Sequence, residues 1–424
     1  MKSRSPFLTE ALAGVTTFIT MSYIVVVNPS ILSSPGTGMA FSGVLTATVL
    51  VSMLLTLMMG VYAKLPFAVA PGMGINAFFA FTIIISRKIP WPTALGIIFW
   101  AGVFFVLISV TPLRVKLAQA IPISLRTAAS AGIGIFLTFI GLKNSGFIVS
   151  DPVTLLKLGP IQTPALLSLA GLAFSFWLLK KKSPFAFLGG IALVTALAAL
   201  MGKIQAPNAL FSLPDFSSVF LKLDIWGALK LSLLPSIISI LFTDLFDSLS
   251  TFIGVAHACG LTDEKGEPLR LKEGLIVDAF ATLAAGLAGT SSGTAYIESA
   301  AGIEMGGRTG LTSVFTALCF LPCFFLSPLV SIVPAFATGP VLILVGSFMF
   351  RSVSKLCFDT LEDGVPAYLT LILIPLTFSI TQGILWGFIT HFFFYWIAGR
   401  RREVSPIMAG LAAVSVLLLA LERL

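Results

Sequence analysis

Charged residues are scarce in this chain. They make up only 10% of its 424 residues, whereas soluble domains carry about 25%. Hydrophobic residues reach 57%, and the mean hydropathy is +1.02. Apolar runs of about 20 residues recur along the chain, each long enough to cross a hydrocarbon core of roughly 30 Å. These features exclude a soluble globular protein and indicate an all-α polytopic membrane protein.

Cysteine and histidine are also scarce, with His257 and His391 as the only histidines. The four cysteines contain no CxxC pair and lie in or beside apolar segments, which is typical of small hydrophobic residues in a reduced compartment. No metal-ligand cluster and no nucleotide-binding glycine loop is visible, so we expect neither metal nor cofactor. The net charge of +8 indicates basic membrane loops rather than a nucleic-acid partner. The cysteines are Cys259, Cys319, Cys323 and Cys357.

Apolar runs between charge clusters predict fourteen membrane spans. With the N-terminus in the cytoplasm, 18 of the 26 Lys and Arg residues fall on the cytoplasmic side, as the positive-inside rule requires. We therefore expect a multi-pass protein of the inner or plasma membrane with a cytoplasmic N-terminus. The pattern leaves open the placement of a further apolar segment, 404–421. The spans lie near residues 11–31, 42–62, 66–86, 93–112, 128–147, 163–180 and 184–202, then 227–256, 274–290, 293–306, 310–333, 338–351, 366–380 and 382–398.

The two halves of the chain resemble each other weakly. The run that starts at Pro164 parallels the run from Pro366, and the run from Ser130 parallels the run from Ala337. Seven spans per half is an odd number, so the second copy has to be inverted in the membrane. Inverted repeats are a device of secondary transporters, whose binding site lies at the repeat interface.

Two interrupted spans lie at corresponding positions in these halves. The third span, LPFAVAPGMGINAFFAF, contains Pro71, Gly72 and Gly74, and the tenth contains the stretch GTSSGTAYIESAAGIEMGG (Gly289–Gly307). Proline removes a backbone donor and glycine weakens a helix. Freed backbone groups at membrane depth are tolerated only where they face protein or a polar cavity. The pattern predicts a transport site where the two interruptions meet.

Acidic side chains lie inside these apolar segments. The eighth span carries Asp244 and Asp247, which share one helix face with Ser248 and Thr251 at 100° per residue. Glu298 adds a third carboxylate in the tenth span, and no Lys or Arg lies within these segments. A charge at the bilayer centre costs roughly 2.5–3.5 kcal/mol, which indicates a function. A carboxylate without a basic partner binds a proton readily, and it also accepts hydrogen bonds from the N–H edge of a neutral heterocycle.

Several neighbours complete the candidate site. Glu298 is flanked by hydroxyl side chains that include Thr294 and Tyr296, and Asn76 places an amide at the break of the third span. Tyr296 and Phe79 are aromatic rings that could stack on a planar ligand.

Glu304 differs from Glu298 in its position. It lies near Arg308, at the predicted cytoplasmic end of the tenth span. A surface ion pair would explain it, so we predict no role in binding.

Four segments together resemble the AzgA-like purine permeases, which belong to the nucleobase–cation symporter-2 group. The segments are AGVTTFITMSYIVVVNPSIL, APGMGINAFFAF, DLFDSLSTFIGVA and GTSSGTAYIESAAG with the following GGRTGLT. Their order and spacing are kept over nearly the whole chain. The resemblance implies import of adenine, guanine or hypoxanthine by proton symport and alternating access, with H⁺ as the co-transported ion.

The resemblance also implies two domains built from two inverted seven-span repeats. A core domain that holds the substrate would comprise residues 1–112 and 226–334. A gate domain would comprise residues 113–225, which include an outer loop, and residues 335–424 with the C-terminal segment. The gate domain is the part through which a homodimer would form.

Carried over residue by residue, the resemblance assigns roles within the site. Glu298 is implied to bind the purine, and Asn76 to hold the junction of the broken spans. Asp247 is implied to be the proton-coupling acid or a second purine contact, and Asp244 is its rival one turn earlier.

Three other classes of protein compete with this interpretation. An anion exchanger of the same architecture needs positive helix ends or a basic residue in its site, which the carboxylates disfavour. An intramembrane hydrolase needs two acids on different elements, whereas Asp244 and Asp247 lie on one helix. We therefore do not expect an enzyme. A channel would not accumulate its substrate against a gradient.

Overall fold

The computed structural model describes residues 6–111, 120–207, 209–262, 268–356 and 358–421, and the chain is predominantly helical. Within those ranges, seven helices are long and apolar enough to cross a membrane. The described cysteines are free thiols, and Cys357 lies outside the described residues. The seven helices are Pro6–Leu32, Phe41–Ala63, Trp91–Val110, Ile123–Asn144, Thr163–Lys180, Leu231–Ala256 and Ala335–Lys355.

The described residues of the first half of the chain form eight α-helices. Helical turns of π type prolong α3 through Met59–Ala63 and α4 through Phe78–Ser86. The helices are α1 (Pro6–Met21), α2 (Ile24–Leu32), α3 (Phe41–Met58), α4 (Met73–Ala77), α5 (Trp91–Val110), α6 (Ile123–Asn144), α7 (Thr163–Lys180) and α8 (Ala186–Leu200).

In the second half, the ranges that the structure describes form nine α-helices. The predicted eleventh span, 310–333, is divided into α12, a 3₁₀ turn at Leu321–Phe325 and α13. A 3₁₀ turn at Arg351–Lys355 follows α14. The helices are α9 (Leu234–Cys259), α10 (Leu271–Ala288), α11 (Ser299–Glu304), α12 (Gly310–Cys319), α13 (Ser327–Ser331), α14 (Ala335–Phe350), α15 (Leu361–Thr377), α16 (Ile380–Ile397) and α17 (Pro406–Leu421).

Two short strands meet inside the helical body, one from each half of the chain. They pair antiparallel, with Ala70 opposite Thr294, and all their residues are buried. Gly289, with φ of +98°, follows the last residue of α10 and allows the chain to leave the helix before the second strand. A separate hairpin lies on the surface between α6 and α7. The strands are β1 (Val69–Pro71), β2 (Ile148–Asp151), β3 (Leu155–Leu158) and β4 (Gly293–Ala295).

Side-chain hydroxyls satisfy backbone groups that β1 leaves unpaired. The Thr56 hydroxyl accepts a hydrogen bond from the Val69 N–H at 2.9 Å and lies 3.0 Å from the Val69 carbonyl oxygen. The Ser299 hydroxyl accepts from the Ala68 N–H at 3.0 Å. An irregular backbone at this depth is tolerated because protein groups replace the missing helix bonds.

Helices from the two halves pack against each other through facing glycines. A methyl group at Gly134 would lie 2.5 Å from the Gly346 carbonyl oxygen, and one at Gly141 would lie 2.7 Å from that of Gly339. Since 134 faces 346 and 141 faces 339, α6 and α14 run antiparallel. Glycine permits this close approach of two backbones.

Two further pairs of helical segments also approach each other closely at glycines. Gly60, in the π turns after α3, faces Gly310 at the start of α12. On α5, Gly102 lies against Leu283 of α10, while Gly286 of α10 lies against Phe99 of α5. Together with β1 and β4, these pairs join the first half of the chain to the second.

The polar loop that follows α8 lies over the ends of three helices. Its Leu221 N–H donates to the Leu287 carbonyl of α10, and its Asp224 N–H donates to the Pro92 carbonyl of α5, both at 2.9 Å. Its Asp215 accepts a hydrogen bond of 2.7 Å from Ser42 on α3. The loop thereby ties α3, α5 and α10 together. The segment 404–421, whose placement the sequence left open, contains α17, which packs on α16 and on the start of α9.

Candidate functional site

The candidate site is built around the pair β1 and β4. Each strand runs directly into a short helix, α4 after Gly72 and α11 after Glu298. Gly72 donates its N–H to the Ser292 carbonyl at 2.8 Å, and Tyr296 donates to the Ala68 carbonyl at 2.9 Å. The segments Val69–Pro71 and Gly293–Ala295, which belong to the third and tenth predicted spans, therefore lie side by side in the structure.

A cavity of about 430 Å³ adjoins β4. Helices α4, α6, α9 and α14 contribute to its wall, together with the residues from β4 to Glu298. Its described lining residues are Tyr23, Met73, Gly74, Ser130, Asp247, Ser250, Thr251, Gly254, Thr294, Ala295, Tyr296, Ile297, Glu298, Val345, Phe348, Met349, Arg351, Ser352, Ser354 and Lys355.

Two of the predicted carboxylates face this cavity. Glu298 and Asp247 both line it and are half-buried. The Tyr23 hydroxyl donates to Glu298 Oε1 at 2.6 Å, and this ring is 1% exposed. Asp247 has no hydrogen bond to another of the described residues, so its oxygens are available to a ligand. The site offers acceptor groups at its inner wall.

The other predicted site residues divide into two groups. Thr294 and Tyr296 line the cavity, and the Tyr296 hydroxyl donates to the Pro71 carbonyl at 2.5 Å, which joins the two strands. Asn76 and Phe79 are fully buried and lie outside the set of described lining residues. The structure therefore does not bring Phe79 to the place where it would stack on a ligand.

Asn76 belongs to a buried polar network centred on Asn28 of α2. Its amide nitrogen donates to the Asn28 carbonyl oxygen at 3.1 Å, and Ser291 donates to the same oxygen at 3.3 Å. The Asn28 nitrogen in turn donates to Thr48 and Thr290, both at 2.8 Å. The network connects α2 and α3 with both interrupted segments.

Asp244 and Asp278 form a second pair of carboxylates, which lie near β4 and are not among the described residues that line the cavity. Both are 0% exposed. Thr282 of α10 donates to Asp244 of α9, while Ser248 of α9 donates to Asp278 of α10. The two antiparallel helices thus exchange one carboxylate–hydroxyl hydrogen bond in each direction. We refer to these four residues as the crossed carboxylate pair.

The crossed carboxylate pair also fixes the position of β4. Asp244 accepts a hydrogen bond from Ser292 at 2.6 Å, and Asp278 accepts from the Ala295 N–H at 2.7 Å. Ser248 and Thr294 share a hydrogen bond of 3.0 Å between their hydroxyl oxygens. Hydrogen bonds to α9 and α10 therefore hold the strand that lines the cavity in place.

The sequence reasoning missed three residues of this site, Asp278, Tyr23 and Asn28. Asp278 is an acid inside the predicted ninth span, 274–290, so the rule that singled out Asp244 could have found it. Tyr23 and Asn28 lie in the first span, where a phenol and an amide carry no comparable signal. Only the fold places them beside Glu298 and Asn76.

Glu304 does not have the partner that was predicted for it. Glu304 is exposed at the last position of α11, but no ion pair among the described residues joins it to Arg308. The Arg308 guanidinium donates instead to the Cys259 carbonyl at 2.5 Å. Glu10 of α1 accepts from the Arg308 and Thr309 N–H groups at 3.1 Å and thereby caps the start of α12.

The apolar helices and the acidic central cavity define a multi-pass membrane protein that carries small molecules. Comparison with known proteins identifies the kind of carrier. The model named Xan_ur_permease, described as the permease family, matches residues 8–386. The chain belongs to this family, and it is a permease rather than an enzyme.

Named relatives agree with the resemblance to purine permeases. The chain is 40% identical to the adenine permease AdeP of Escherichia coli, over 96% of this chain and 92% of that protein. It is 38% identical to the guanine/hypoxanthine permease PbuO of Bacillus subtilis, over 94% of each chain. Among solved structures, the transmembrane domain of the cyanobacterial bicarbonate transporter BicA shares the fold, with a TM-score of 0.68 and 17% identity over 90% of this chain and 97% of that one.

Proposed function

We propose that this protein imports purine nucleobases by proton symport across the cell membrane. Its relatives include permeases named for adenine and for guanine and hypoxanthine, which supports this substrate class. The preferred base would be one of these three. The co-transported ion would be H⁺, and no cofactor would take part.

One observation carries the proposal: Glu298 and Asp247 line the same cavity from two different elements, and Tyr23 orients Glu298. A neutral purine presents N–H donors along its edge, which the acceptor oxygens of Glu298 would bind. Asp247, without a hydrogen bond to another described residue, would take up the proton, in preference to the enclosed Asp244. Thr294 and Tyr296 would complete the wall, and Asn76 would act through the Asn28 network.

Bound proton and bound base would together permit movement. The proton would neutralise one carboxylate and the base would cover the other, so the site could cross the hydrophobic gate with little exposed charge. The core domain (1–112 and 226–334) would move against the gate domain (113–225 and 335–424). A homodimer would form through the gate domain.

The topology we propose has fourteen spans in two inverted seven-span repeats, with the N-terminus in the cytoplasm. The antiparallel pairs β1–β4 and α6–α14, each with one member from either half, support it. The cavity reaches Arg351 and Lys355, which are exposed and lie on the side that the Lys and Arg bias assigns to the cytoplasm. The structure would then represent an inward-open state.

Uptake of radiolabelled adenine, guanine and hypoxanthine into purine-transport-deficient cells tests this proposal. We expect accumulation of at least one base, competition by the unlabelled base, and loss of accumulation when an uncoupler collapses the proton gradient. Glu298→Ala should abolish uptake, whereas Glu304→Ala should retain it at equal membrane abundance. Wild-type uptake by Glu298→Ala would refute the assigned site, and uptake that resists the uncoupler would refute proton coupling.

A further inference from the structure

The cavity combines an acidic inner wall with a basic rim. Its inner wall carries the oxygens of Glu298 and Asp247, both half-buried. Its rim is formed by the 3₁₀ turn after α14, where Arg351, Ser354 and Lys355 line the same cavity and are exposed. A neutral base can use only the inner wall, so the rim suits a ligand with a further, negatively charged group.

The two cations of the rim are not neutralised by acidic neighbours. None of the ion pairs among the described residues includes Arg351 or Lys355. The Arg351 guanidinium instead lies over the ring of Phe348, 5.1 Å from its centroid, and Phe348 also lines the cavity. The positive charge is therefore available to an anion. The ion pairs that do occur are Lys157–Asp151, Arg400–Glu362 and Arg400–Glu403.

The cavity is also larger than a single base requires. Cavities of its size, about 430 Å³, fall in the range of roughly 300–1,000 Å³ that encloses drug-sized ligands. Its wall follows the chain from Val345 to Arg351, which is about 9 Å at the rise of an α-helix. A ligand that fills this space extends from the base toward the basic rim.

We propose that the cavity also binds a purine nucleoside 5′-monophosphate, which enters from the exposed side and competes with the base. This inference rests on the proposed function, because the base moiety would occupy Glu298 and Asp247. The phosphate would bind Arg351 and Lys355, since a guanidinium fork matches two phosphate oxygens. The nucleotide would not be carried across, because its phosphate would have to enter the low-dielectric gate. Phosphoribosyl transfer to an imported base yields this class of compound, so uptake would be inhibited by its own product.

Competition binding to the purified full-length protein in nanodiscs tests the inference. The probe is whichever radiolabelled base, adenine, guanine or hypoxanthine, binds the wild-type protein. The competitors are its 5′-monophosphate, its nucleoside and ribose 5-phosphate. A charge-assisted contact contributes about 1.5–3 kcal/mol, so we expect the monophosphate to compete about tenfold or more better than the nucleoside.

The double variant Arg351→Gln/Lys355→Gln should remove this advantage and leave the affinity for the base within about twofold. The double variant Lys272→Gln/Arg402→Gln, at two exposed cations outside the cavity, should leave both affinities unchanged and controls for the change in net charge. Equal competition by nucleotide and nucleoside, or unaltered nucleotide affinity in the double variant, would overturn the inference while base binding stands. If no base binds the wild-type protein, the proposed function fails instead.

Discussion

Two pairs of carboxylates lie near β4, and their surroundings differ. Glu298 and Asp247 face a cavity, and the Tyr23 hydroxyl is the one described side chain that donates to either of them. Asp244 and Asp278 are fully enclosed and accept hydrogen bonds from hydroxyls and from a backbone N–H. The same residue type thus occupies one setting open to a ligand and one closed by protein.

The difference shows how an acid at membrane depth can be assigned a role. A buried charge is costly unless protein donors replace the water that it loses. In the crossed carboxylate pair the donors belong to α9, α10 and β4, so these acids serve the architecture. At the cavity Tyr23 is the one described side chain that donates, to Glu298, and the proposed function assigns the remaining donors to the ligand.

The largest effect is expected from neutralising the cavity-facing acid of α9. Asp247→Asn should reduce uptake by about 100-fold or more, because it removes the proposed proton acceptor, yet leave the melting temperature of the purified protein nearly unchanged. Initial rates of base uptake and thermal unfolding in detergent check the two parts. Normal transport by the variant, or a much lower melting temperature, would contradict the conclusion that Asp247 serves transport and not the stability of the fold.

The opposite outcome, a loss of stability, is expected from a change in the crossed carboxylate pair. Asp278→Ala leaves the buried Ala295 N–H without its acceptor, whereas the Ser248 hydroxyl still has Thr294 as a partner. An orphaned buried group costs about 1–3 kcal/mol, so we expect a loss of about that size in stability, measured as a lower melting temperature. Asp278→Asn is the matched control: its amide oxygen still accepts from Ala295, so much of the stability should return. Equal melting temperatures of Asp278→Ala and wild type would show that the crossed carboxylate pair does not stabilise the fold.

Much of the fold and part of the site follow from sequence alone, because membranes impose strong local rules. The sequence rules for membrane spans single out the long apolar runs, the segments rich in glycine and proline, and the acids Asp247 and Glu298. The interruption in the tenth span could be located because glycine and hydroxyl residues weaken a helix at that point. These signals are local and need no knowledge of contacts.

The remaining part of the site depends on contacts between distant residues. Tyr23 lies 275 positions from Glu298, and Asn28 lies 48 from Asn76. No periodicity encodes such pairs. Phe79 is the opposite case. It lies close in sequence to the residues of β1, but its side chain is buried in the protein and is not among the described residues that line the cavity. Asp278 was detectable and was missed because its span has no other irregularity.

A smaller effect tests whether Tyr23 prepares the cavity-facing acid for its ligand. Tyr23→Phe removes the 2.6 Å hydrogen bond to Glu298 and keeps the ring that packs against Phe187. A hydrogen bond to a charged group contributes about 1.5–3 kcal/mol, so we expect the apparent KM for the base to rise by about tenfold or more with little change in protein abundance. Kinetics of uptake over a range of base concentrations measure this. An unaltered KM would mean that Glu298 is oriented without Tyr23.

The smallest effect is expected at Asp215, a partly exposed carboxylate with the same kinds of hydrogen-bond donor as the crossed carboxylate pair. Asp215, in the polar loop that follows α8, accepts from the hydroxyls of Ser218, Ser42 and Ser217 and from backbone N–H groups. Hydrogen bonds, foremost that from Ser218, hold the pKa of the Asp215 carboxyl well below its ordinary value. Asp215→Asn should cost only about 1 kcal/mol at neutral pH, because water competes for the same donors.

The pH dependence of that small loss has a definite sign. A carboxyl with a lowered pKa in the folded state stabilises the fold above its unfolded pKa of about 3.9, and the contribution disappears as pH falls through the folded value. The melting temperatures of wild type and Asp215→Asn should therefore differ at pH 7, begin to converge as the pH falls below about 4, and meet only as the pH falls through the folded pKa. Asp151→Asn serves as the control. Contacts led by the Thr154 N–H lower the pKa of Asp151 to about 2, so Asp151→Asn should show a pH dependence of the same sign. Its loss should be smaller, because its surface hairpin does not clamp the helix ends. If Asp151→Asn lowered the melting temperature as much as Asp215→Asn, the effect would reflect surface charge rather than the attachment of the loop to α3.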